Sequence, residues 1–129
     1  MTPSMQISTA IKHKTRWHTV TGTIDVDKLI QHLQALYISP DFDSDMNALW
    51  DIREANSSLV TKEDVTVLID FVATQWGCEA KNKMALVATR DMEYGMSRMY
   101  QIMLEGKTTS KVAIFKDIQE AENWIAKKQ

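Results

Sequence analysis

The chain has 129 residues, the size of one domain, and 44% of them are hydrophobic, enough to close one core that buries roughly two thirds of the unfolded surface. Fifteen Lys and Arg stand against seventeen Asp and Glu, a formal charge of -2, and the basic residues are scattered apart from short pairs such as Lys127 and Lys128, which excludes a phosphate-tracking stripe for nucleic acid. Apolar runs fall far short of the ~18 residues that span a bilayer, and the start Met1-Thr2-Pro3-Ser4 has no basic flank before an apolar stretch. With a lone Cys78 and eight methionines, the expected home is the reducing cytoplasm.

In chain order, Met5, Ile7, Thr9 and Ile11 alternate, and after a polar stretch a β-branched run fills residues 16–24; the two runs predict an opening antiparallel hairpin. Asp25 then caps a helix whose buried stripe is Leu29, Ile30, Leu33, Leu36 and Tyr37, stopped by Ser39-Pro40. Residues 48–53 form a short strand. Thr61 and Asp64 open a second helix with the stripe Val65, Leu68, Ile69, Val72 and Trp76, ended by Gly77. Residues 83–89 are a strand whose middle, Met84-Ala85-Leu86-Val87-Ala88, is apolar without alternation, which predicts helices over both faces. Asp91 is placed to cap a third helix that reaches about Leu104 and closes at Gly106. A strand over residues 112–115 and a helix over 118–127, with Asp117 and Glu120 as its capping pair, finish the chain. No linker or repeat interrupts it, so residues 1–129 are expected to form one domain. Strands separated by helices imply βαβ crossovers, hence an α/β fold: a mostly parallel sheet with an N-terminal antiparallel hairpin and about four helices.

Several strings occur along this frame: Leu49-Trp50-Asp51-Ile52-Arg53, Ala85-Leu86-Val87-Ala88, Tyr94-Gly95-Met96-Ser97-Arg98-Met99-Tyr100, and Ile114-Phe115-Lys116-Asp117 followed by Glu120-Ala121 and Trp124-Ile125. Together, over roughly residues 20–124, they resemble the SpoIIAA-like family of small bacterial proteins, a branch of the STAS fold related in shape to anti-sigma-factor antagonists and to CRAL-TRIO lipid carriers. The resemblance implies a SpoIIAA-like (STAS-type) domain acting as a non-enzymatic regulatory or protein-interaction module that self-associates as a homodimer. An anti-sigma-factor antagonist carries a phosphorylatable serine in an Asp-Ser-Ser-Gly type of turn after the strand that here ends near Arg53. This chain has Asn56-Ser57-Ser58-Leu59 there, with Asn for the acid and Leu for the glycine. Ser57 and Ser58 are therefore candidate phosphosites, set against the plainer reading of an ordinary loop.

In open α/β sheets ligands bind beyond the carboxyl ends of the parallel strands. That rim displays Asp51, Arg53 and Glu54 from one strand and Arg90 and Asp91 from the next, with Tyr94 and Arg98 one turn apart on the third helix. Two arginines beside helix starts could hold an anion; the alternative is that these charges pair with each other. Met92, Met96, Met99 and Met103 recur at helical spacing and could fill the core, line an apolar ligand site or meet a partner. Gly95 among them signals a close approach to another backbone or ligand, or tight packing. These residues motivate the alternative function, a small carrier of a lipid-like or anionic metabolite held by Asp51, Arg53, Arg90, Asp91, Tyr94, Met96 and Arg98. Asp41, Asp43 and Asp45 alternate like calcium-loop ligands, yet Met46 stands where glycine is needed and Ile52 where a bidentate Glu belongs. His13, His18 and His32 lack metal-ligand spacing, so neither a metal nor a cofactor is expected. Nor is there a Gly-x-Ser-x-Gly elbow or a glycine-rich phosphate loop, and no enzymatic activity is expected. Trp17, Trp50, Trp76 and Trp124 are expected mostly in the core.

Overall fold

The computed structural model describes residues 3–76 and 82–127. The elements are β1 (Gln6–Lys12), β2 (Thr15–Thr23), α1 (Val26–Tyr37), β3 (Asn47–Asn56), α2 (Lys62–Trp76), β4 (Lys83–Val87), α3 (Asp91–Leu104), β5 (Lys111–Phe115) and α4 (Ile118–Ala126). β1 and β2 are joined by His13 and Lys14, both at positive φ, 51° and 61°. Two such residues are what a tight two-residue hairpin turn demands, and here they are supplied without the usual Asn-Gly pair.

The strands lie in the order β1-β2-β3-β4-β5, with β1 antiparallel to β2 and every other pairing parallel. When successive parallel strands step in one direction and each crossover is right-handed, the connecting helices all land on the same face. The packing shows this. Leu33 of α1, Val65, Ile69 and Val72 of α2 and Leu104 of α3 share one cluster, whereas Ala121 and Ile125 of α4 pack with Leu49, Ala85 and Val87 on the opposite face. β4 is covered on both sides, as its unbroken apolar run demands.

A β-bulge tunes the central strand. Thr19 pairs with Asp51 but Thr21 pairs with Glu54, so β3 carries one extra residue between them. Before the shift Trp50 and Ile52 face the three-helix side by ordinary alternation; beyond it Ala55, three positions after Ile52, shares the cluster of Val20, Ile24, Val26 and Ala88 on that same side, so the alternation has changed phase. The strand also runs to Asn56, three residues past its expected end, while β4 stops at Val87, two before.

Three helix starts are built as their sequences predict. The Asp25 carboxylate accepts from the Lys28 N–H, Thr61 and Asp64 exchange two bonds of 3.0 Å, and Asp117 accepts from the N–H groups of Gln119 and Glu120. The start of α3 is a correction. Arg90, not Asp91, takes its cap position and makes no side-chain bond to the helix amides, and Asp91 is the first helical residue. Arg90 is drawn away by Glu93 and by the Ala55 carbonyl, and Asp91 still favours the helix amino end by its charge. Gly106, at φ 85°, closes α3 as expected. The expected stop at Gly77 and the lone Cys78 lie outside the described residues.

Candidate functional site

The carboxyl rim holds the predicted charges, but they answer each other. The Asp51 carboxylate receives Arg53 Nε and Nη2 at 2.9 Å each, and its Oδ1 also accepts the Arg53 backbone N–H at 3.2 Å. Burial pushes the Asp51 carboxyl up, yet the side-chain and backbone hydrogen bonds from Arg53, with its charge, outweigh that and hold it below the usual carboxylate value. Lys116 Nζ lies 3.5 Å from Asp91 and sits over the Tyr94 ring at 5.1 Å. Arg98 is not part of this group: it is exposed and donates to Gln101, which in turn donates to the Val112 carbonyl at β5. Arg53 and Arg90, the two arginines expected to hold an anion, are thus each engaged by a carboxylate of the chain, Asp51 and Glu93.

Ser57 is drawn into the same fabric. It is 4% exposed, and both its backbone N–H and its hydroxyl donate to Glu93 Oε2, at 2.8 and 2.7 Å. Arg90 Nε holds the other oxygen of Glu93 at 3.1 Å. Burial raises the Glu93 carboxyl, but the bonds from Ser57 and the charge of Arg90 bring it below its ordinary value. A phosphate on Ser57 would replace a donor with a dianion against a buried carboxylate. Ser58 is exposed, its amide tied to Asn56 Oδ1 in a local turn, and is the accessible member of the pair.

On α3 the methionines divide. Met96, Met99 and Met103 pack against the cluster of α1 and α2, whereas Met92 is exposed at 58%. Gly95 is a correction: a Cβ placed on it would meet nothing within 4 Å, so no other element among the described residues approaches closely there.

What the sequence reading missed is inside. Between the sheet and α1, α2 and α3 lies a cavity of about 120 Å³, walled by aliphatic side chains of the three helices and by Trp50, Ile52, Met84 and Leu86 of the sheet. Met96 lines it, and of the predicted ligand-binding residues it alone does. Arg16, His18 and Val20 alternate along β2 and point to this side; Ser97 and Tyr100 reach it from α3. The period-two alternation is visible in the sequence, but it sets an Arg and a His at inward positions, residue types that ordinarily face solvent.

These polar groups are held tightly. His18, 1% exposed, stacks on Trp50 at 4.0 Å and shares a hydrogen bond of 2.8 Å with Thr9 through Nδ1. Burial, then the charges of Arg16 and His32, push its pKa down to about 3, so it is neutral at ordinary pH. Burial likewise lowers His32. Burial raises the Tyr100 phenol, with Tyr37 adding to it, and keeps it protonated. Arg16, 5% exposed, donates through Nη1 to the Asp43 carbonyl at 3.3 Å and stacks its guanidinium on Phe42 at 4.6 Å. Burial lowers its pKa, against the opposing effects of Tyr37 and Asp43, but a guanidinium stays charged. Two buried polar atoms on the cavity's lining residues, Arg16 Nε and Ser97 Oγ, have no hydrogen-bond partner among the described residues. Among the described residues no group of three or more His, Cys, Asp or Glu is arranged to hold a metal ion, and no helix is long and apolar enough to cross a membrane.

No protein-family model matches the chain, and no curated protein matches it. Among solved structures it is similar to an uncharacterised protein of the DUF3478 family with a SpoIIAA-like fold from Shewanella loihica PV-4, at a TM-score of 0.59 and 16% identity, over 98% of this chain and 96% of that one. At that identity the likeness is one of fold: this chain has the SpoIIAA-like fold, a mixed five-stranded sheet with four helices.

Proposed function

We propose that this protein is a non-enzymatic binding module that takes a small, largely apolar molecule into the cavity between its sheet and α1–α3. One observation carries the reading: a cavity of about 120 Å³ with an aliphatic and aromatic wall, close in size to an engineered apolar cavity that binds benzene. A ligand of one six-membered ring or a short chain fits that volume. This is the carrier alternative, moved from the rim, where the charges are already paired, to the interior. Chemistry gains little support here. The His18–Thr9 pair has a nucleophile-and-base look, but an imidazole with a pKa near 3 is too weak a base to activate a hydroxyl at neutral pH. A cytoplasmic setting suits eight methionines and one cysteine.

The test is fluorine NMR of para-fluorotoluene titrated into the protein, with Met96→Phe as a variant that fills the cavity. The expected result is saturable line-broadening with the native chain that Met96→Phe abolishes while its circular dichroism is unchanged. Absence of binding by any small probe, charged or neutral, removes the reading.

A second reading rests on the sheet edge. β1 has only Ile7 half-buried, and its Ile11 is 62% exposed. An edge of that length is a template for another strand, and the occupant with the matching edge is a second copy of this chain. The homodimer expected of a STAS-type interaction module forms, in this reading, by antiparallel pairing of two β1 strands.

A further inference from the structure

The cavity wall is apolar, yet it includes one permanent charge. Arg16 sits 5% exposed on β2, and among the described residues no carboxylate oxygen lies within 4.0 Å of its guanidinium. The nearby Asp43 meets it through its backbone carbonyl, and the Asp43 carboxylate instead accepts the Asp45 N–H at 2.9 Å. Phe42 closes over the guanidinium from the α1–β3 connection, packed in turn on Tyr37. The charge is thus screened from water, favoured at a distance by Asp43 and Tyr37 but without a contact ion pair among the described residues, and its Nε has no hydrogen-bond partner among them. Burying a charge in that state is costly unless something completes its hydrogen bonds. From the helix side, Ser97 is 2% exposed and its hydroxyl has no partner either.

We propose that the cavity ligand is a small monocarboxylate, its anionic group received by Arg16, its apolar body lying against Trp50, Leu33 and Met96, and Ser97 donating a further hydrogen bond from α3. This assignment rests on the cavity reading above and adds the chemical class of the ligand. A planar guanidinium matches a carboxylate through paired N–H donors, and in a site shielded from water such a bond is stronger than at the surface. The small volume limits the body to about one aromatic ring or a short chain. The neutral imidazole of His18 stacked on Trp50 presents no competing charge to the carboxylate.

The experiment compares para-fluorobenzoate with its neutral isostere para-fluorotoluene by fluorine NMR, on the native chain, Arg16→Met, Arg16→Lys and Ser97→Ala. Para-fluorobenzoate is expected to bind the native chain at least about tenfold more tightly than para-fluorotoluene, and to lose at least about tenfold in Arg16→Met. Arg16→Lys should recover part of that loss, because the charge returns without the planar fork. Ser97→Ala should weaken para-fluorobenzoate several-fold and leave para-fluorotoluene unchanged. Should para-fluorotoluene bind and para-fluorobenzoate fail, the carboxylate assignment falls while the cavity reading stands; should neither bind, both fall. Equal binding of para-fluorobenzoate by the native chain and a folded Arg16→Met removes Arg16 as the anchor. If Arg16→Met does not fold, the Arg16→Lys and Ser97→Ala comparisons decide alone, and unchanged affinity in both overturns the proposal.

Discussion

Two glycines show how little residue type says without its surroundings. Gly95 lies inside α3 with open space where its Cβ would be, so Gly95→Ala should stabilise the protein by about 0.5–1 kcal/mol, the helix-interior difference between the two residues. Gly22 has φ 81°, and a Cβ on it would run into the Ser4 carbonyl, with its carbon at 2.8 Å and the Pro3 oxygen at 2.9 Å. Gly22→Ala should therefore destabilise by more than ~1 kcal/mol, and urea unfolding of the two variants would show shifts of opposite sign. His18 gives a pH signature. Its pKa of about 3 in the folded chain, against 6.5 when unfolded, means that between those values the unfolded state binds the extra proton. The stability it confers is whole above pH 6.5 and is lost progressively as the pH falls towards 3. Urea midpoints measured from pH 7.5 down to 4.5 should fall, and His18→Gln should flatten the trend, leaving the smaller slope that His32, also lowered by burial, contributes in the same direction. An equally steep slope in His18→Gln would place the titration elsewhere.

At the scale of elements, legibility followed locality. Caps made within four residues, Asp25, Thr61 with Asp64, and Asp117, could be read because donor and acceptor are neighbours in sequence. The start of α3 could not, since its geometry depends on Ser57, 36 positions before Glu93, and on the Ala55 carbonyl. The β3 bulge was hidden for the same reason: one extra residue against β2 is a property of the pairing, and it decides that Ala55 faces the same core side as Trp50 and Ile52. The serine turn lies between β3 and α2, where its place in the sequence puts it, but its two hydroxyls, equivalent in sequence, differ in the fold: Ser57 is buried and Ser58 exposed. Ser57→Glu should cost about 2–4 kcal/mol by setting a second carboxylate against buried Glu93, whereas Ser58→Glu, in solvent near the start of α2, should stay within ~0.5 kcal/mol of the native chain. Thermal unfolding of both variants checks this. If Ser57→Glu proves as stable as Ser58→Glu, the Ser57–Glu93 bond is not holding the turn to α3.

For the molecule as a whole, the uneven covering of the sheet sets what remains available. Three helices enclose a cavity on one face, and the nine-residue α4 covers β3, β4 and β5 on the other, approaching closely because Ala121 and Ala85 are small. Neither layer shields β1, whose outer backbone edge pairs with no strand among the described residues. Pairing two β1 strands antiparallel would extend the five-stranded sheet to a continuous sheet across a two-fold axis and would cover Ile11 from both copies. The cavity lies on the inner side of β2, so a dimer formed at this edge leaves it open to ligand, and the two proposed activities are compatible. Sedimentation velocity at tens of micromolar should give a dimer for the native chain and a monomer for Ile11→Lys, which sets like charges at the shared edge and touches no core residue. A native chain that sediments as a monomer would remove the edge as an assembly surface and leave the interior cavity as the feature on which function rests.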